Sequence, residues 1–198
     1  MGNTLNYKQI TNLVDENSKI LDLGCGDGFL FKKLVDEKHV TGVGIEIDQN
    51  NVVKTMEKGL PVIQGDIDKG LKQFGDKTFD YAILNRTLQS TDHPDYVLEE
   101  MLRVSKKAIV AFPNFAYWRV RFYLFFKGKM PKSRALPYEW YNTPNIHLNT
   151  IEDFFEFCKT RQIRIIDAVY LAKKRARKGI SKPFANFFSE EAIFVLTK

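Results

Sequence analysis

Seven residues, Asp22-Leu23-Gly24-Cys25-Gly26-Asp27-Gly28, restrict this chain more than any other stretch. Ile20 to Leu23 reads as a short buried strand, and Phe29, Leu30, Leu34 and Val35 follow at helical spacing. Glycines between a strand and a helix let the backbone turn sharply and approach a ligand, while free N–H groups at the helix start meet a carboxylate or phosphate. The pattern predicts the first turn of a nucleotide-type site; its plain alternative is a tight turn with no ligand.

The rest of the first 112 residues repeats the same grammar. Val40 to Ile47, Pro61 to Ile63, Phe79 to Leu84 and Ala108 to Phe112 read as strands, separated by helical patterns. Asp48 is placed to cap the second helix and Gly59 to end it, and Pro94 opens another. Residues 115 to 149, rich in aromatics and prolines, read as an inserted cap or docking segment. Thr150 then caps a helix carrying Ile151, Phe154, Phe155 and Cys158 on one face. Arg164 to Leu171 and Ala192 to Leu196 read as a final antiparallel hairpin joined by the basic run Lys173 to Lys178, taken as a solvated loop. The predicted fold is α/β, a Rossmann-like sandwich with a mainly parallel seven-stranded sheet, and 198 residues with 44% hydrophobic content suit one domain.

Candidate ligand contacts follow from the strand ends. Glu46, eighteen residues beyond Gly28, stands where a carboxylate accepts the two hydroxyls of a ribose. Phe29 occupies the place of the third dinucleotide glycine, which disfavours a pyrophosphate and favours a ligand with an amino-acid tail, whose ammonium suits Asp22. Asp66 is set to accept an adenine amine, with Ile47 and Ile67 as apolar faces for the ring. Together with Gly24, Cys25 and Gly26 of the turn and Asn85 at the fourth strand end, these residues form the expected cofactor set. S-adenosyl-L-methionine, or S-adenosyl-L-homocysteine, has the matching parts.

This portion, roughly residues 20 to 112, resembles the class I S-adenosylmethionine-dependent methyltransferases. Further strings are more particular: Asn85-Arg86-Thr87-Leu88-Gln89, Ala111-Phe112-Pro113-Asn114-Phe115, Trp118-Arg119-Val120-Arg121, Gly128-Lys129-Met130-Pro131, and the run from Leu136-Pro137-Tyr138-Glu139-Trp140 through Pro144-Asn145-Ile146-His147-Leu148. They resemble the MetW family of methionine biosynthesis. The resemblance implies a methyltransferase-fold protein that acts with homoserine O-acyltransferase as its partner or activator. A free-standing S-adenosylmethionine-dependent methyltransferase for a small molecule is the alternative, with Asn85, His93, Tyr117 or His147 near the acceptor. The stretch after Asn85 lacks the proline pair and aromatic residue typical of enzymes acting on planar amines, which argues against a nucleobase substrate. No catalytic residue is assigned, because transfer of an already electrophilic methyl often needs no dedicated base.

Other features narrow the partners. No apolar run approaches the ~20 residues that cross a bilayer, and Met1 to Asn6 lacks the features of a signal peptide, so a cytoplasmic protein is expected. Two cysteines, Cys25 and Cys158, make neither a disulfide framework nor a metal site. A net charge of +6 permits nucleic-acid contact, but only charge favours it. Phe115, Trp118, Phe122 and Phe125 or Phe126 share one helical face flanked by basic residues. Core packing, a lid, a protein docking surface and a membrane-surface helix all remain open for it.

Overall fold

The computed structural model describes residues 4–133, 135–172 and 175–198. A helix, α1 (Thr4–Leu13), precedes the glycine turn. Then come β1 (Lys19–Leu23), α2 (Phe29–Lys38), β2 (Thr41–Glu46), α3 (Gln49–Glu57), β3 (Val62–Gln64), β4 (Phe79–Asn85), α4 (Pro94–Val104) and β5 (Ser105–Pro113). The remainder is α5 (Trp118–Lys127), α6 (Ile151–Thr160), β6 (Arg164–Ala172), β7 (Arg175–Arg177), α7 (Lys182–Phe188) and β8 (Glu191–Thr197). The sheet runs β3-β2-β1-β4-β5-β8-β6-β7. Its first five members are parallel, and β8 lies antiparallel between β5 and β6.

Strand alternation divides the core between two faces. Leu21, Leu23, Ala82, Leu84, Val110, Phe112 and Phe194 pack with α4 and α6. Their neighbours Ile20, Tyr81, Ile83, Ile109, Ala111, Ile193 and Val195 pack on the other side with α1 and α2. This is the period of two that a sheet covered on both sides requires. Phe112, Phe154 and Phe194 form one aromatic knot, with centroids 4.8 to 5.7 Å apart.

Local signals act as their chemistry dictates. The Asp48 side chain accepts from the Asn51 amide at 2.9 Å, and Thr150 and Asp153 complete a reciprocal capping box. Two expectations need correction. The described sheet has eight strands rather than seven, because Arg175–Arg177 forms an extra edge strand paired with β6. Charged side chains are compatible with a short edge. The expected final hairpin is also not direct: β6 and β8 pair, but β7 and α7 intervene. Within the basic run, Lys173 and Lys174 lie outside the described residues.

Candidate functional site

The C-terminal ends of β1, β2 and β4 open on a cleft with two adjoining lobes. The larger, about 490 Å³, is lined by Asp22, Gly24, Cys25, Gly26, Glu46 and Asn85, together with Tyr7, Arg86, Tyr138 and Pro144. The smaller, about 200 Å³, shares Gly24 and Glu46 and adds Ile47, Asp66 and Ile67. All nine residues expected to hold the cofactor thus face one crevice, at the strand ends where open parallel sheets bind ligands.

The turn owes its shape to backbone that other residues resist. Gly24, Gly26 and Gly28 have φ of +63°, +57° and +75°. A β-carbon on Gly24 would meet Thr87 Oγ1 at 2.7 Å, whereas one on Gly26 would meet nothing within 4 Å. Gly24 is therefore demanded by packing and by φ. Gly26 is demanded by φ alone, and the space before it is open.

Three acids differ in what they already do. Asp22 is only 2% exposed, and its Oδ2 is buried with no hydrogen-bond partner. Desolvation first, and the nearby Glu46 charge second, push its carboxyl up to about 7. A carboxylate so placed can accept a cationic group that enters the cleft. Glu46 is less idle: its Oε2 accepts the Gly26 amide at 2.8 Å and its Oε1 the Asp48 amide at 2.9 Å. Each oxygen retains a further acceptor site, so Glu46 both holds the turn and can receive a ligand's hydroxyls. Asp66 caps the short turn Ile67–Lys69 by accepting the Asp68 amide at 3.0 Å. Burial and the same two acids push the Cys25 thiol up to about 12, so it is a wall and not a nucleophile.

Sequence reasoning missed the wall opposite. Arg86, a non-glycine residue with φ +60°, makes a two-point pair with Glu191 of β8: Nε to Oε1 at 3.1 Å and Nη2 to Oε2 at 2.6 Å. Asn6 of α1 donates to the same Glu191, and its neighbour Tyr7 lines the cleft. Tyr7 has its phenol pushed up, chiefly by burial. The one available signal was a charge opening the otherwise apolar run of β8. Among the acceptor-side candidates, Asn85 lines the cleft and its Oδ1 is buried without a partner. His93 is exposed at the start of α4, Tyr117 is buried against Val120 and Leu136, and His147 lines a separate groove between α4 and α6.

A sheet with β3-β2-β1-β4-β5 parallel, a glycine turn after β1 and an acid ending β2 defines the fold of the class I S-adenosylmethionine-dependent methyltransferases. Solved structures agree. An S-adenosylmethionine-dependent methyltransferase from Mesorhizobium loti superposes with a TM-score of 0.72 at 11% identity, covering 99% of each chain. One from Thermotoga maritima, described as a possible histamine N-methyltransferase, gives 0.70 at 16% identity over 98% of this chain and 88% of that one. Identities this low speak to the fold alone. The family signature described as Methionine biosynthesis protein MetW matches residues 5–196. The chain belongs to the MetW family of methionine biosynthesis proteins. The bifunctional methionine biosynthesis protein MetXA/MetW of Rhodopirellula baltica is 36% identical over 178 residues, 84% of this chain. This chain spans 29% of that relative's length.

Proposed function

We propose that the cleft binds S-adenosyl-L-methionine or S-adenosyl-L-homocysteine, and that the protein so loaded acts with homoserine O-acyltransferase in methionine biosynthesis. The observation that carries the binding reading is Asp22: a buried carboxylate with an unsatisfied oxygen beside an open glycine turn fits the ammonium of a methionine tail. Glu46, already aligned by the Gly26 and Asp48 amides, receives the ribose hydroxyls. Asp66 takes the adenine amine, between the exposed Ile47 and the buried Ile67. Asn85 closes the tail end of the lobe.

Bound S-adenosylmethionine supplies an electrophilic methyl; this chain's residues orient it and screen it from water. The partner reading is supported by the R. baltica relative, whose name joins MetXA, the acyltransferase, and MetW in one protein. Because the cofactor derives from methionine, a loaded state with different affinity for the acyltransferase would report end-product supply.

The test is a two-part reconstitution. S-adenosylhomocysteine is titrated calorimetrically into the purified chain, and homoserine acyltransferase is assayed with and without the chain and the cofactor. Saturable binding plus an acyl-transfer rate that depends on the chain is the expected result. No heat of binding would defeat the cofactor reading, and an unchanged acyltransferase rate the partner reading.

A further inference from the structure

The aromatic face expected on the segment after Pro113 splits: Phe115 and Trp118 pack against Tyr117, Val120 and Leu136, whereas Phe122, Phe125 and Phe126 face water. Phe125 is 81% exposed, Phe126 70% and Phe184, on α7, 61%. The rings form one connected surface across α5 and α7: Phe122 lies 5.9 Å from Phe126 and 6.5 Å from Phe187, and Phe187 lies 4.9 Å from Phe188. Between them is a groove of about 440 Å³ lined by Arg121, Glu152, Pro183, Phe184 and Phe187. A contiguous aromatic patch of this kind on a water-facing surface marks an interaction site.

The patch is held ready. The buried Asn114 donates to the carbonyls of Asn186 at 2.7 Å and Ser189 at 2.8 Å, and accepts the Ala116 amide at 3.0 Å. One side chain thereby locks the starts of α5 and the end of α7 against β5. Such a fixed surface loses little entropy on binding. Positive charge predominates beside it: α5 and α7 carry Arg119, Arg121, Lys127 and Lys182 and no acid, with Glu152 of α6 the one acid lining the groove.

We infer that the α5–α7 face is the docking surface for homoserine O-acyltransferase, seating an apolar ridge of that enzyme rimmed by acidic side chains. The inference rests on the partner reading above. It draws on the charge of the rim and on the relative that carries both units in one protein. Aromatic rings with arginines among them are the composition that dominates protein–protein binding energy. An anionic membrane also attracts basic, aromatic surfaces, but a concave groove between two short helices suits a protein ridge better than a bilayer.

The test compares the wild-type chain with the double variant Phe125→Glu, Phe126→Glu and with Met56→Glu on α3, all at exposed positions. Binding to the acyltransferase is measured by calorimetry, S-adenosylhomocysteine affinity serves as the check on folding, and sedimentation with phosphatidylglycerol vesicles is run in parallel. The double variant is expected to bind the acyltransferase at least a hundredfold more weakly, with Met56→Glu and the small-ligand affinity unchanged within twofold. Equal binding by wild type and double variant would overturn this surface while leaving the partner reading intact. A wild type that ignores the acyltransferase defeats both, and if it sediments with vesicles only while intact at the aromatic face, the membrane assignment replaces the present one.

Discussion

Replacing Asp22 by Asn should make the empty protein more stable at alkaline pH while weakening its hold on the cofactor. Burial, then the neighbouring Glu46, raises this carboxyl from 3.8 to about 7. At about 1.4 kcal/mol per pH unit, holding the charge inside the empty fold costs about 4 kcal/mol once the group is ionised. The sign follows from proton counting. Between about pH 4 and 7 the folded chain keeps a proton that the unfolded chain loses, so stability falls as pH rises through that window and the cost is complete above about 7. An amide at the same place carries no charge, but leaves polar atoms unpaired at about 1–3 kcal/mol. The net expectation for Asp22→Asn is a gain of about 1–3 kcal/mol at pH 8, a rise of several degrees at about 2–4 °C per kcal/mol for a chain of this size. At pH 5 the acid is already protonated and the gain should vanish. Thermal unfolding followed by circular dichroism at the two pH values measures this directly. Calorimetry should show S-adenosylhomocysteine bound more weakly by about 1.5–3 kcal/mol at pH 8, as for a lost hydrogen bond to a charged group. The wild-type affinity should fall up to tenfold per pH unit below 7, and that slope should be absent from the variant. A variant equally destabilised at both pH values, with ligand affinity intact, would refute the idea that Asp22 is a buried charge awaiting a cation.

Other perturbations separate scaffolding from ligand contact. Gly26→Ala places a methyl in open space at φ +57°, so it should cost about 1–2 kcal/mol of stability by denaturant melt yet abolish measurable S-adenosylhomocysteine binding. Glu46→Ala removes an acceptor from two backbone amides and from the ribose, and should weaken both the fold and ligand binding by about 1–3 kcal/mol; paired melts and titrations would expose a purely structural role if only the melt moved. Arg86→Ala takes the two-point partner from Glu191, which is 1% exposed, and should cost about 3–5 kcal/mol by the same melt. Cys25 and Cys158 both have thiols pushed up to about 12, so iodoacetamide at pH 8 should label neither until denaturant is added, as mass spectrometry can follow.

What the sequence made legible is what is encoded locally. The first five strands, the glycine turn and the caps at Asp48 and Thr150 each rest on residues within a few positions of one another. The helix α1 escaped because its sheet-facing side includes Asn6 and Thr11, both buried, so its apolar stripe is broken. Helix α7 escaped for the opposite reason: of its seven residues only Ala185 is buried, and Phe184 and Phe188 face outward. The acids at the ends of β1, β2 and β3 could be placed beforehand, since parallel strands must deliver their last residues to one edge. Arg86 and Glu191 could not, because their pairing spans 105 positions and is decided by where β8 inserts. The eighth strand was obscured by its charge, which reads as solvated loop until a hairpin partner is known.

The insertion of β8 between β5 and β6 also sets an order of events during synthesis. Asn6 and Glu191 meet across 185 positions, and Arg86 completes the three-way contact at the cleft wall. While a ribosome is still extending the chain towards residue 191, the glycine turn and the first four strands can be paired, yet this wall has no anchor. The binding crevice is thus among the last features to mature, and closing so long a loop is slow. Until β8 slides into the sheet, the strand-end acids face a cleft whose far wall is unbuilt.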